Sequence, residues 1–209
     1  VEKIFLLIED DSIPGTDLPP VFQCINVSSQ SVFPPSCPNV VPHYTYMTTL
    51  RAGLTKLLPS YVDRVLWLDP DTIVTDDLSD IWNYDLEHFY FAGVEEVRNH
   101  NHTRLPYYNA GVMLMNLAKF RSDGMDEQII ADINTTRYEH LEQDALNFNC
   151  SPHILPLPSR YSDSFVSEPC SDPIIKHYLA YAKRFLAQAS EPYSNLEWNQ
   201  IPNAFKVDV

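Results

Sequence analysis

Two carboxylates one residue apart, Asp69 and Asp71, follow directly on the apolar run Val65-Leu66-Trp67-Leu68. Alternate residues of a strand point to the same side, so the pair is expected to share a face. Like charges that close repel unless a cation or protons sit between them, and the chemistry this points to is a divalent-metal site. A plain turn is the competing reading, because Asp and Pro are both common turn residues. His177 lies just past Ile174-Ile175, at the end of an apolar run, and is a further candidate for the same edge. Taken alone it reads more simply as an ordinary satisfied histidine. Lys183 and Arg184 add positive charge just beyond it. Glu142-Gln143-Asp144 opens a helical stretch, where acidic residues favour the dipole and capping alone would account for them. Arg51 falls one residue past Leu50 on another helical stretch, near enough to its edge to reach a ligand face, although a solvated surface charge is the simpler reading.

These residues need elements that bring them together. A continuous apolar run ending at polar groups suits a strand covered on both faces, as in a parallel α/β sheet. Ligands in such sheets bind beyond the carboxyl ends of the strands. Strands are expected at Ile4 to Ile8, Val21 to Val27, Val65 to Leu68, Phe89 to Val94, Tyr107 to Leu117, Ile154 to Leu157 and Pro173 to Ile175. Ala110 and Gly111 are small residues in the long strand, where a bulky ligand could approach the backbone. Met47, Leu50, Leu54, Leu57 and Leu58 recur at helical spacing and predict one helix, ended by Pro59. Asp126 to Ile133 predicts a second helix, and Asp76 to Trp82 a short turn and helix. Residues 28–42 carry four prolines and are expected to form a loop, as is the polar stretch 95–106. Residues 1–189 read as one α/β domain and 190–209 as a tail.

The chain has 209 residues, enough for a sizeable α/β core. With 28 acidic against 14 basic residues the net charge is -14, which excludes a nucleic-acid backbone or an anionic membrane as the expected partner. A phosphate-bearing substrate would have to be met by a metal or by locally gathered Lys and Arg. Only 5 glycines against 17 prolines leaves no Gly-rich phosphate cradle. Cys24, Cys37, Cys150 and Cys170 are widely spaced with no Cys-x-x-Cys, so zinc is not expected, and they read as reduced thiols of a cytoplasmic protein. Asn26, Asn101, Asn134 and Asn149 each begin an Asn-x-Ser/Thr acceptor, the mark of the minority reading, a secreted origin. No run approaches a transmembrane segment.

An apolar strand followed by Asp-x-Asp resembles the start of haloacid-dehalogenase-type phosphatases, in which the first Asp is a nucleophile and the second a general acid/base. That motif usually opens its domain, whereas here two expected strands and a helix precede it. The whole series of blocks is more similar to glycosyltransferase family 8, retaining nucleotide-sugar transferases of the GT-A fold. It runs Thr48-Thr49-Leu50-Arg51, Val65-Leu66-Trp67-Leu68-Asp69-Pro70-Asp71, Asn109-Ala110-Gly111-Val112-Met113-Leu114-Met115-Asn116-Leu117, Glu142-Gln143-Asp144-Ala145-Leu146-Asn147, then His177. A lone Asp-x-Asp is weak, but these blocks in this order and spacing are specific, and they cover most of residues 1–185.

The resemblance implies a Rossmann-like, mostly parallel sheet with helices on both faces. It implies Mn²⁺ (with Mg²⁺ as an alternative) held by Asp69, Asp71 and His177, a set of mixed O/N ligands that suits Mn²⁺. It places Arg51, Asp69, Asn109, Ala110 and Lys183 at the donor, and Glu142 and Gln143 at the reacting sugar as the catalytic candidates. The expected activity is transfer of glucose or galactose from a UDP-sugar to a hydroxyl of a saccharide or glycan. A non-catalytic binding module of the same fold is the alternative. The chain departs from the family pattern at Glu142, where Asp is usual, and at Ala180 and Lys183-Arg184-Phe185, where Gly and a Lys-Pro-Trp ending are usual. Val1 to Asp11 resembles the family's second strand better than its first, so the expected domain lacks an initial strand and helix and is expected to self-associate as a homo-oligomer through the edge left open.

Overall fold

In the computed structural model, residues 3–10, 18–41, 45–97, 106–164 and 166–179 are described. The order of elements begins β1 (Ile4–Ile8), β2 (Phe22–Asn26), α1 (Tyr46–Thr49), a 3₁₀ turn at Leu50–Gly53 and α2 (Leu54–Leu57). It continues through β3 (Arg64–Leu68), β4 (Thr72–Val74), α3 (Ser79–Trp82), β5 (Phe91–Glu95) and β6 (Tyr108–Asn116). It closes with α4 (Leu117–Ser122), α5 (Met125–Thr135), α6 (Leu141–Cys150), β7 (Ile154–Leu157), a 3₁₀ turn at Ser159–Tyr161 and β8 (Ile175–His177).

The chain divides into two units, each drawn from two separate stretches. The first takes residues 1–65 and 116–153. Here β1 and β2 pair in parallel, Ile4 opposite Phe22 through Ile8 opposite Asn26. The single helix expected between Met47 and Leu58 is instead α1, the 3₁₀ turn and α2. Gly53 is the physical reason available. It weakens the helix, and it admits a fully buried neighbour, since a Cβ there would lie 3.0 Å from the Phe33 ring. The proline-bearing loop ahead of the helices is fastened to α5 by Asn39, whose buried amide donates to the Ile133 carbonyl at 2.6 Å and the Thr136 carbonyl at 2.8 Å.

The second unit takes residues 66–115 and the chain from 154 onward. Its four-stranded sheet has the order β3-β6-β5-β7, with β5 antiparallel to β6 and parallel to β7. A separate antiparallel pair, β4 and β8, sets Thr72 opposite His177 and Val74 opposite Ile175. The sheets are therefore mixed. β6 is buried along almost its whole length, as its unbroken apolar run demands, whereas β3 at the sheet edge is only half-buried. Ile81, Leu86, Ala92, Val94, Val112, Leu114, Leu157, Tyr161, Ile174 and Ile175 form one apolar cluster in this unit.

The late strand expected at 173–175 runs two residues further on, to His177. Pro173 has no N–H to give to a ladder, and its carbonyl is instead taken by the Thr75 hydroxyl at 2.7 Å. Within β8, Ile175 and His177 are buried and Lys176 is not. The period of two puts the histidine on the face that Ile175 anchors in the core, and a one-residue slip of register would turn it out.

Candidate metal centre

Asp69 and Asp71 do not lie along a strand. β3 stops at Leu68 and β4 starts at Thr72, and a tight turn joins them. Thr72 closes that turn, its N–H donating to the Asp69 carbonyl at 3.1 Å and its hydroxyl to the same oxygen at 2.8 Å. The turn reading holds, and it is the turn rather than strand alternation that gathers the two carboxylates on one side. The Asp69 N–H donates to the Gly111 carbonyl of β6, and the Tyr178 N–H donates to the Asp71 carbonyl, both at 2.8 Å. These bonds tie the turn to the long strand on one side and to the end of β8 on the other.

One ligand atom from each of Asp69, Asp71 and His177 lies within 4.8 Å of the others, and among the described residues this is a group able to hold a metal ion. His177 Nε2 is 3.3 Å from Asp71 Oδ1 and 3.9 Å from Asp69 Oδ2. Hard cations sit about 2.0–2.6 Å from each ligand, which at right angles separates neighbouring ligand atoms by roughly 3–4 Å. The donor set therefore fits a divalent cation. The His177 side chain is only 1% exposed, and its buried Nε2 makes no hydrogen bond. Its Nδ1 lies 3.4 Å from the buried Ser162 hydroxyl. In the tautomer that donates Nδ1–H to Ser162, Nε2 aims a lone pair at the carboxylates, an arrangement that a cation satisfies. Asp69 is oriented by Trp67, whose indole N–H donates to Oδ1 at 2.7 Å and leaves Oδ2 toward His177.

Gly111 is where β6 meets this group. A Cβ on it would collide with His177 Cε1 and would lie 2.7 Å from Nε2 and 2.9 Å from Asp69 Oδ2. The sequence marked Gly111 as a place for a ligand to approach the backbone; what approaches it is the carboxylate and imidazole themselves. Asn109 and Ala110 are buried beside it. The Asn109 side-chain oxygen Oδ1 accepts from the Gly111 N–H at 2.8 Å, and its side-chain amide donates to Glu96 Oε1 at 2.7 Å. The phenol of Tyr108 is pushed above its ordinary range by burial and by the charge of Glu95.

Arg51, Glu142 and Gln143 belong to the first unit. Arg51 is not a solvated surface charge. Its Nε is 3.0 Å from Glu142 Oε1, with the two side chains 11% and 5% exposed. Glu142 and Gln143 sit in the first turn of α6, which begins with Leu141 in the left-handed region at φ 53°. A non-glycine residue there is strained by about 1–3 kcal/mol. Asp144 holds the strained start, its carboxylate accepting from the His140 N–H at 2.8 Å. Lys183 lies outside the described residues. Sequence reasoning missed Trp67, Ser162 and Glu96. The first was read as core and the last as the start of a surface loop, and no local pattern separates a buried Glu96 from an exposed one.

Residues 23–183 match the model of glycosyl transferase family 8. The chain belongs to this family of glycosyltransferases. It is 28% identical over 216 residues to glycosyltransferase GlyE of Streptococcus pneumoniae, an alignment covering 90% of this chain and 50% of that protein. The chain spans half or less of the length of the first curated relatives it matches. Against the crystal structure of GlyE the TM-score is 0.65 at 22% identity, over 94% of this chain and 52% of the other. Against galactosyltransferase LgtC, solved with donor and acceptor sugar analogs, it is 0.57 at 20% identity, over 93% and 81%. The fold is that of the GT-A glycosyltransferases. No helix among the described residues is long and apolar enough to cross a membrane, and all four cysteines are free.

Proposed function

We propose that the chain transfers a hexose, glucose or galactose, from a UDP-sugar to a saccharide hydroxyl with retention at the anomeric carbon, and that Asp69, Asp71 and His177 hold the Mn²⁺ it uses. The observation that carries this reading is the convergence of those three side chains around a buried, unsatisfied Nε2, with Gly111 making room. Membership of family 8 supports the transferase class. That LgtC was crystallised with donor and acceptor sugar analogs supports the two kinds of partner.

When bound, the cation supplies Lewis-acid stabilisation to the departing diphosphate. The chain's own residues do the rest. Asp69 and Asp71 provide negative charge fixed by Trp67 and by backbone bonds, and the Ser162 hydroxyl lies where it can accept a hydrogen bond from His177 Nδ1. Arg51, Asn109, Ala110 and Lys183 are proposed to contact the donor, with Asp69 also facing its sugar or ribose. Glu142 and Gln143 are proposed to flank the reacting sugar. An amide such as Gln143 is a poor nucleophile, so the retaining route that fits is a front-face displacement in which the leaving phosphate assists the incoming hydroxyl. The Glu142 carboxylate reaches about one methylene further than the aspartate usual in the family. Its pairing with Arg51 gives that extra length a use.

The test is release of UDP from UDP-glucose and UDP-galactose, with Mn²⁺ and with chelator, alongside calorimetry of Mn²⁺ binding. Metal-dependent release of UDP is the expected result. Metal-dependent UDP-sugar binding with no turnover against any acceptor would instead make the chain a binding module, and no Mn²⁺ binding would remove the site assignment.

A further inference from the structure

β6 is out of step with β5 where it passes the metal group. Phe91 faces Met115 and Gly93 faces Met113, so an unbroken register would set Glu95 opposite Gly111. Glu95 faces Tyr108 instead, and the three extra residues of β6 fall between Tyr108 and Met113, the stretch that holds Asn109, Ala110 and Gly111. An extra residue in a strand is left outside the ladder, so its N–H needs another acceptor. For Gly111 that acceptor is the Asn109 side-chain oxygen, while the Gly111 carbonyl is taken by Asp69. Both sides of the glycine are thereby fixed, and with them the space for His177 and the placement of Asp69.

Asn109 can do this only with its amide turned one way. A side-chain amide has one accepting and one donating end, and either end could face Gly111. Glu96 decides the matter: it is 3% exposed, and its carboxylate accepts from the Asn109 amide at 2.7 Å. A carboxylate has no hydrogen to offer the other end. Its own place is fixed by the Glu96 N–H, which donates to the Tyr107 carbonyl at 2.8 Å. Burying a carboxylate is unfavourable unless hydrogen bonds satisfy it, and a surface-loop glutamate would not be held this way.

We infer that Glu96, acting through Asn109, is a positioning residue for the Asp69–Asp71–His177 group. The inference rests on the metal reading above for its consequence, and its geometry stands without a metal. Asn109→Asp sets two accepting carboxylates against each other. Mn²⁺ affinity then falls by about 10–100-fold, the range for lost outer-shell support, and the Gly111 amide loses protection from hydrogen exchange in the metal-free protein. Glu96→Gln alone has a smaller effect, because its oxygen can still accept. In the double variant E96Q/N109D the introduced amide donates to the introduced carboxylate, which again accepts from Gly111, so both readouts return toward the parent. A merely structural loss would add across the two substitutions rather than cancel. The melting temperature of each metal-free variant identifies any unfolded protein.

The inference is overturned if the double variant is no better than N109D, or if N109D keeps both Mn²⁺ affinity and Gly111 protection. If the parent protein takes up no Mn²⁺, the metal reading fails by itself, and exchange at Gly111 alone decides whether Glu96 sets the strand.

Discussion

Arg51 and Glu142 set opposite charges 3.0 Å apart, while Asp69, Asp71 and His177 gather two like charges and an imidazole within 4.8 Å. Both arrangements are largely withdrawn from water. The pair supplies its own countercharge and holds the first turn of α6 to the 3₁₀ turn. The trio has carboxylates facing a ring nitrogen that makes no hydrogen bond, a local balance that an added cation improves. The difference teaches how to separate the two roles. Breaking the pair should be felt in stability, and breaking the trio should be felt in metal binding.

The largest effect is expected at the trio, from Gly111→Ala. Its methyl must displace His177 or Asp69, so Mn²⁺ affinity falls by more than the roughly 100-fold that marks loss of a supporting residue. Overpacking also destabilises by about 1–3 kcal/mol. Calorimetry and thermal unfolding of the same sample would read both. An alanine variant that binds Mn²⁺ normally would mean that the close approach at Gly111 is not what shapes the group.

Glu142→Ala comes next and strikes the pair. Removing one partner of a buried ion pair is destabilising by about 3–5 kcal/mol. The low end is expected, because the Thr48 carbonyl still accepts from Arg51 at 3.3 Å. Denaturant unfolding measures it, and Mn²⁺ affinity in the folded fraction should stay within error. Loss of metal binding in step with stability would erase the contrast between the two regions.

Asp71→Asn reverses that pattern. Taking one like charge from the trio lowers Mn²⁺ affinity by at least about tenfold, and it leaves the metal-free melting temperature unchanged or slightly higher. A large drop in stability would make Asp71 a structural residue of the turn.

The smallest effect is expected from acid, and it falls on the first unit. Burial alone would raise the Asp126 carboxyl, but hydrogen bonds from Thr55 and Lys56 more than offset it and hold it below the usual range. Asp132 is half-buried; burial raises its carboxyl, and hydrogen bonds from Tyr138 and Asn149 hold it below the usual range. A carboxyl depressed in the folded state adds stability above its unfolded value and loses it as pH falls through the folded one. Stability should therefore decline progressively below about pH 5. Asp126→Asn should flatten part of that slope. A slope unchanged in the variant would remove Asp126 from the account.

Much of this was legible in the chain itself. Continuous apolar runs located β1, β3, β5, β6 and β7 within a residue or two, although only β5 and β6 are buried along nearly their whole length while β1 and β3 are half-buried. Ile129, Ile130 and Ile133 marked α5, and the acidic residues Glu142 and Asp144 marked the start of α6. Spacing misjudged the segment from Met47 to Leu58. It records which residues face the core, and it does not record the close approach of Phe33 that Gly53 admits. Asp69 and Asp71 stood out because two like charges one residue apart after an apolar strand need an explanation in any fold.

Composition and local pattern alone determined an acidic α/β chain with a pair of carboxylates at the end of a strand. The series of blocks pointed further, to the family, and the match over residues 23–183 established it. Local pattern left open which distant side chains complete the group; the resemblance implied His177, and the tertiary structure brings it beside the two carboxylates. His177 joins Asp69 and Asp71 through the register of β8 on β4, anchored by Ile175 in the core. Glu96 reaches Gly111 through the irregular stretch of β6. The same holds for Arg51, which spacing favoured as a surface charge and which the fold buries against Glu142. The physical reason is common to all three. Local sequence governs which way neighbouring side chains face, but the partner across a ladder or between packed helices depends on register and burial, which the folded chain sets as a whole.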